Sequence, residues 1–384
     1  MRITQKLVGA GMLALMAACS TLNSINPFAS KSKGNEPAPL AELKGTMAVR
    51  TAWKLDMGKS NSYIFSPAMV GNTLVLAGAN GSLARVDAAS GRELWRIKAP
   101  TGLTAGVGSD GTTIVVGGDK GGVLAFSMDG KLLWTTQASS EVLSSPVVGQ
   151  GIVVVRSIDN RIVGLDAKSG AQKWTVQRIS PPLTLRNAPG MVVVDKEVII
   201  AQPGGKLLAL TLATGAARWE VAVGEARGAT ELERVTDIGG APVLFETDVC
   251  AVAYQGRVGC FDVATGSPKW TKPLSSDVGV SVDQRFVFAV DDKDAISAFS
   301  REGGASVWKN DKLNYRNLST PVSYGRAVAV GDYQGYIHFL SRENGAFLAR
   351  AATDGSAIAA PPLVAGSNLI FQTQSGTVTA IAVE

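Results

Sequence analysis

Three cysteines, one histidine and a scatter of carboxylates are the residues of this 384-residue chain whose types suit covalent, metal or acid–base chemistry. His338 is the only histidine, which rules out a multi-histidine metal site and leaves a His-based dyad without support. Cys250 and Cys260 flank Tyr254-Gln255-Gly256, and residue 255 is their midpoint. A three-residue turn there sets the two cysteines opposite each other, in reach of a disulfide in an oxidising compartment. A two-residue turn offsets them and leaves buried free thiols. Two ligands ten residues apart, with no histidine nearby, do not make a metal site. Asp87, Asp166 and Asp262 each precede a Ser/Thr-Gly pair. They are dispersed along the chain rather than paired, so they read as side chains that bond turn backbone rather than as catalytic acids. No catalytic residue, metal or cofactor is assigned.

The elements that position these residues come from a repeated phrase, apolar-Asp-x-x-Ser/Thr-Gly-x-x-x-Trp. All seven tryptophans, Trp53, Trp95, Trp134, Trp174, Trp219, Trp270 and Trp308, fall in it at intervals of about forty residues. Each copy supplies a tight Gly turn, a Trp-bearing strand after it and two apolar strands before it, and a short small-residue segment precedes these. Ile152–Arg156 and Arg161–Asp166 are the clearest pair of strands. Four strands per repeat of that length predict an all-β fold, an eight-bladed β-propeller of four antiparallel strands per blade. The first Trp strand, from Met47, lacks three partners, and the last repeat lacks its Trp strand. The two fragments are therefore expected to form one composite blade that closes the ring. A degenerate copy at Asn344-Gly345 places Leu348 at the aromatic position. The tryptophans are read as core between blades, each indole N–H finding a carbonyl. Ligand stacking would instead cluster them on one face.

The N-terminus reads as an address. Arg2 and Lys6 precede a twelve-residue apolar run, Leu7 to Ala18, too short to span a bilayer, which needs about 20 residues. The run ends Leu15-Met16-Ala17-Ala18-Cys19, which resembles the lipobox of bacterial lipoproteins, with Met16 where that motif usually carries Leu. The resemblance implies residues 1–18 as a signal peptide, lipidation of Cys19, and anchoring in the outer membrane because Ser20, not Asp, follows. Residues 19–45, with their Ser, Asn, Pro, Lys and Gly, are expected to be a lipidated flexible tether, and 46–384 the propeller. Net charge is +5, and losing Arg2 and Lys6 takes two from that to leave +3. With no run of Lys/Arg, nothing points to nucleic acid.

The repeat phrase resembles that of quinoprotein-type propellers, which implies a periplasmic pyrroloquinoline-quinone (PQQ) oxidoreductase as one alternative. Lipobox, tether and eight blades together resemble the BamB family, lipoproteins of the outer-membrane β-barrel assembly machinery. Two inserts break the period, Arg178 to Pro189 and Gly224 to Pro242, and both join an outer strand to the next inner strand. By topology they emerge on one face of the ring. Leu183, Leu185 and Arg186 match the family's Leu-x-Leu-Arg stretch. Asp237 matches one of its acidic positions, and Gly239 stands where a second acid is usual. The resemblance implies that these residues contact BamA through its POTRA domains, that other assembly subunits are partners, and that unfolded outer-membrane clients are candidate ligands. It also implies a non-catalytic scaffold that assists folding and insertion of outer-membrane proteins. The competing reading is that Leu183 and Leu185 only cover the central opening. Thr230-x-x-Glu233 is a candidate capping box in the second insert.

Overall fold

The computed structural model describes residues 35–187 and 189–383; Cys19 and the predicted signal peptide lie outside them. The described residues form eight four-stranded antiparallel sheets. Blades one to seven span 68–98, 108–137, 147–177, 191–222, 238–273, 280–310 and 322–352, each in sequence order. Blade eight is composite: strands Leu363–Ala365, Asn368–Gln372 and Thr377–Val383 are completed by Val49–Asp56 from the other end of the chain, with Val49 opposite Val383. The ring closes as its terminal fragments predict.

Residue type follows position in the blade. Second strands such as Thr73–Ala77 and Ile152–Arg156 are buried throughout, because both sheet faces meet a neighbouring blade, so they read as continuous apolar runs. Outer strands such as Gln172–Gln177 alternate, turning Trp174 inward and glutamines and lysine outward. The core therefore lies between blades. One cluster joins Val75 and Leu83 of blade one to Ile114, Val116 and Leu124 of blade two.

The tryptophans tie these interfaces. Trp174 donates its Nε1–H to the Leu212 carbonyl of the next blade at 2.7 Å. Its six-membered ring lies over Gly215, where a Cβ would sit 2.6 Å from Cε3. Gly215 is needed twice, for its φ of +71° and for the close approach of the indole. The same donation recurs from Trp53 to Ala88, Trp95 to Met128, Trp134 to Ala167, Trp219 to Val263, Trp270 to Arg301 and Trp308 to Arg342. Small residues make room for the rings on the adjacent strand: Gly164 pairs with Trp174, Ala125 with Trp134, Ala209 with Trp219 and Ala298 with Trp308.

The eighth copy needs a correction. Ala349, not Leu348, occupies the tryptophan position, because each outer strand carries a one-residue bulge just before it and Leu348 is the bulged residue. Phe339 lies opposite Ala349, so the bulk has crossed to the neighbouring strand. The seam between blades seven and eight thus has no indole.

The motif aspartates do bond their turns. Asp87 accepts from Ser90 N–H and Oγ, Asp166 from Ser169, and Asp262 from Thr265. Lys173 and then Ser169 hold Asp166 down to about 2. Among the described residues no helix is long and apolar enough to cross a membrane.

Candidate docking surface

Residues 178–189 leave the outer strand of blade three and return at the inner strand of blade four, Met191–Val194. Pro181, Pro182 and Pro189 keep the segment out of any ladder, since each lacks an N–H to donate. The second insert, 224–237, is shorter than predicted: Ile238 to Pro242 already belong to strand Ile238–Phe245, which bulges between Gly239 and Val243. Its Thr230 and Glu233 form the reciprocal cap, Thr230 N–H to Glu233 Oε2 at 3.0 Å and Glu233 N–H to Thr230 Oγ1 at 3.3 Å.

The inserts meet through one side chain. The Asp237 carboxylate accepts the Leu185 N–H from insert one and, at 3.0 Å, the Gly204 N–H from blade four. Asn187 Nδ2 donates to the Ile238 carbonyl at 3.3 Å. Asp237 is 3% exposed. Burial pushes its carboxyl up, against the pull of the two amides and of Arg156. It positions Leu185 rather than facing solvent. Leu183 is 47% exposed, Leu185 is half-buried, and Arg186 reaches outward to Glu141 Oε2 at 2.6 Å.

Four residues here escaped sequence reasoning. Glu141 lies in the connection between blades two and three, 45 residues before Arg186, about one repeat length, and that spacing is its only sequence signal. Ile158, nearly half exposed, and Leu143 line a hollow of about 250 Å³ beneath Leu185. Arg156 lies at its base, donates to the Ala201 carbonyl at 3.2 Å and to Ser144 Oγ at 3.4 Å, and has no partner at Nε. Burial brings its guanidinium down to about 10, opposed by the Asp237 charge. A buried arginine is not readable from a strand-end position alone.

The cysteine pair lies apart from this surface, in blade five. Strands Asp248–Ala253 and Arg257–Asp262 are joined by the three-residue turn, Cys250 stands directly opposite Cys260, and the structure joins them as a disulfide with Cα atoms 4.0 Å apart. Cys260 also pairs with Trp270, so it fills the small-residue position of its blade. Among the described residues no group of three or more His, Cys, Asp or Glu is placed to hold a metal ion.

Comparison with known proteins places this geometry. The family model described as outer membrane protein assembly factor BamB matches residues 50–310. The outer membrane protein assembly factor BamB of Burkholderia pseudomallei is 44% identical over 370 residues, 96% of this chain and 95% of that protein. The crystal structure of BamB from Moraxella catarrhalis superposes with a TM-score of 0.81 at 27% identity, over 87% of this chain and all of that one. Quinohemoprotein alcohol dehydrogenase from Comamonas testosteroni shares the fold alone, with a TM-score of 0.66 at 11% identity over 87% of this chain and 76% of that one.

Proposed function

The chain belongs to the BamB family of outer membrane protein assembly factors, and from that membership we infer that it is a scaffold without a catalytic step, assisting folding and insertion of outer-membrane proteins. Its partner is BamA, engaged through the POTRA domains, alongside other assembly subunits. Lipidated at Cys19 after removal of residues 1–18, it is held at the outer membrane facing the periplasm.

The observation that carries this reading is the fused pair of inserts, with Asp237 pinning the Leu185 amide so that Leu183 and Arg186 are presented together. Leu183 offers apolar area, and an arginine on a fixed loop suits a hot spot. Asp237 acts by holding the loop, and Ile158 and Leu143 extend the apolar floor. The alternative of a cover over the central opening fits Leu183 and Leu185 less well. That opening is lined by Asn187 and Met191 from this region, together with inner-strand residues such as Gly108, Val147 and Val192.

The quinoprotein-type oxidoreductase reading rests on the shared fold. An anionic, carboxylated quinone needs cationic partners, and the titratable group among the residues lining the central opening is a carboxylate, Asp277. The residues there do not fit such a cofactor.

Arg186→Glu tests the assignment. Reversing this charge also sets two acids together at Glu141, and loss of a hot-spot side chain costs about 2 kcal/mol or more of binding. Co-purification with BamA from gently solubilised membranes is expected to disappear while the melting temperature stays near that of the parent. Retained co-purification overturns the assignment.

A further inference from the structure

The last described part of the predicted tether is not free of the propeller. From Ala38 to Thr46 the chain runs down the outside of blade seven, and its carbonyls meet three guanidinium groups. Arg316 donates to Ala38 O at 3.0 Å, Arg350 to Ala41 O at 3.1 Å and Arg326 to Thr46 O at 2.8 Å. Backbone bonds hold both ends: Ala38 N–H donates to Asn314 O and Thr46 N–H to Leu348 O, each at 2.8 Å. Leu40 packs on the core between blades six and seven, and Met47 is buried in the core between blades seven and eight. Two of the three arginines are themselves set by a buried network. Arg316 pairs with Asp332 Oδ2 at 2.7 Å, His338 Nε2 lies 2.9 Å from the same oxygen, and Arg350 Nε donates to His338 Nδ1 at 3.2 Å. Met47 thus fills part of the seam that lacks an indole.

We propose that residues 38–46 are a latch that fixes where the tethered chain leaves the ring. Asn314 and Arg316 lie in the connection from blade six to blade seven, on the same face as the two inserts, whereas Leu348 follows the turn on the opposite face. Latched, the chain exits at Ala38 on the insert face. Unlatched, it exits near Thr46 on the other face. The connection from blade six to blade seven is three blades from the first insert, which joins blades three and four, and two from the second. The latch thus starts the tethered chain on the insert face, several blades from the docking loops. The second half of this inference rests on the lipid anchor proposed above; the latch itself does not.

Trypsin and lipid-borne quenching separate the two halves. In the full chain, cleavage after Lys44, inside the latch, is expected to be at least about tenfold slower than after Lys33, as for any segment that must open locally before a protease can bind it. In Arg326→Ala/Arg350→Ala, which keeps the Arg316–Asp332 pair, that difference should shrink while the melting temperature holds. Equal cleavage at both sites in the parent chain overturns the latch, as does a variant that folds and still protects Lys44. A variant that fails to fold is replaced by Leu40→Asp, judged by the same ratio. The acylated full chain is then bound to phosphatidylethanolamine/phosphatidylglycerol vesicles carrying a nitroxide lipid, with a fluorophore at Lys312→Cys on the insert face or Asn344→Cys on the opposite face. Stronger quenching at 312, lost in the variant, supports the exit assignment; stronger quenching at 344 in the parent overturns it. Failure of the chain to bind vesicles overturns the anchor, and the trypsin ratio still decides the latch.

Discussion

His338 is the one imidazole in the chain, and it is fully buried. Guanidinium groups only donate, so the Arg350 Nε–H makes His338 Nδ1 the acceptor, and Nε2–H then faces the Asp332 carboxylate. The ring is neutral. Burial holds it below its ordinary value, partly offset by Asp332 and reinforced by the Arg350 and Arg316 charges. Tyr336, tilted against the ring at 6.3 Å between centroids, donates its backbone N–H to Asp332 at 2.9 Å. Burial raises Asp332, but the bonds from His338, Tyr336 N–H and Arg316 outweigh it and leave it low. The sign for folding follows. Below about pH 6.5 the unfolded chain takes a proton that the folded chain refuses, so stability falls as pH drops through that value, by at most about 1.4 kcal/mol per pH unit. Asp332 keeps its charge in this window and adds no slope there. Denaturant titrations at pH 7.5, 6.5 and 5.5 should show this loss in the parent and a flatter profile in His338→Gln. Equal slopes in the two proteins count against a buried neutral ring. Sequence alone identifies His338 as solitary; its strand buries it, and no spacing joins it to the arginine and aspartate that meet the ring.

At the scale of the element, the unit is the contact between one blade's tryptophan and the next blade's turn. Trp174→Ala removes a buried ring and its bond to Leu212 O and should cost about 3–5 kcal/mol. Gly215→Ala meets the same ring from the other side and also forces a Cβ onto a φ of +71°, which adds about 1–3 kcal/mol of backbone strain. Once the ring is gone only the strain remains, so the double variant should lose less than the sum of the two. A strictly additive cycle, read by chemical denaturation, would mean that the indole and the turn do not touch. This contact explains why so much of the fold was legible. A Gly turn four residues before a Trp marks six of the eight outer strands, and Trp53 without its Gly and Gly345 without its Trp mark the other two. The same rule shows where reading failed. Gly345 plus four is Ala349, and the larger Leu348 beside it is the bulged residue. The inserts were legible as breaks in the period. Asp237 was found by resemblance, and its burial was not, because a carboxylate that pins two amides looks in sequence like one that faces a partner.

At the scale of the whole molecule, closure by two chain ends makes the ring one cooperative object. Val49–Asp56 is the outer strand of blade eight and carries Trp53, whose indole bonds Ala88 O in blade one. One short strand therefore completes a sheet and ties the last blade to the first. It also covers the edge of Thr377–Val383, a Val-, Ile- and Thr-rich strand that would otherwise offer unpaired backbone to another chain. Removal of residues 1–56 should therefore do more than subtract one strand. Trp53 and its bond are lost, blade eight keeps three strands, and Ala380, Leu74 and Val86 lose their cover. The expected result is a lower and broader calorimetric transition than the parent's, with self-association on size exclusion. Removal of residues 1–45 leaves the strand and Met47 in place while taking away the proposed lipidation site and all of the latch but Thr46. That shorter deletion should keep a single sharp transition and a monomeric elution, as the proposed anchor and the latch are not part of closure. If the two truncations melt alike, the composite blade does not seal the ring, and the stability of the disc is local to each pair of blades.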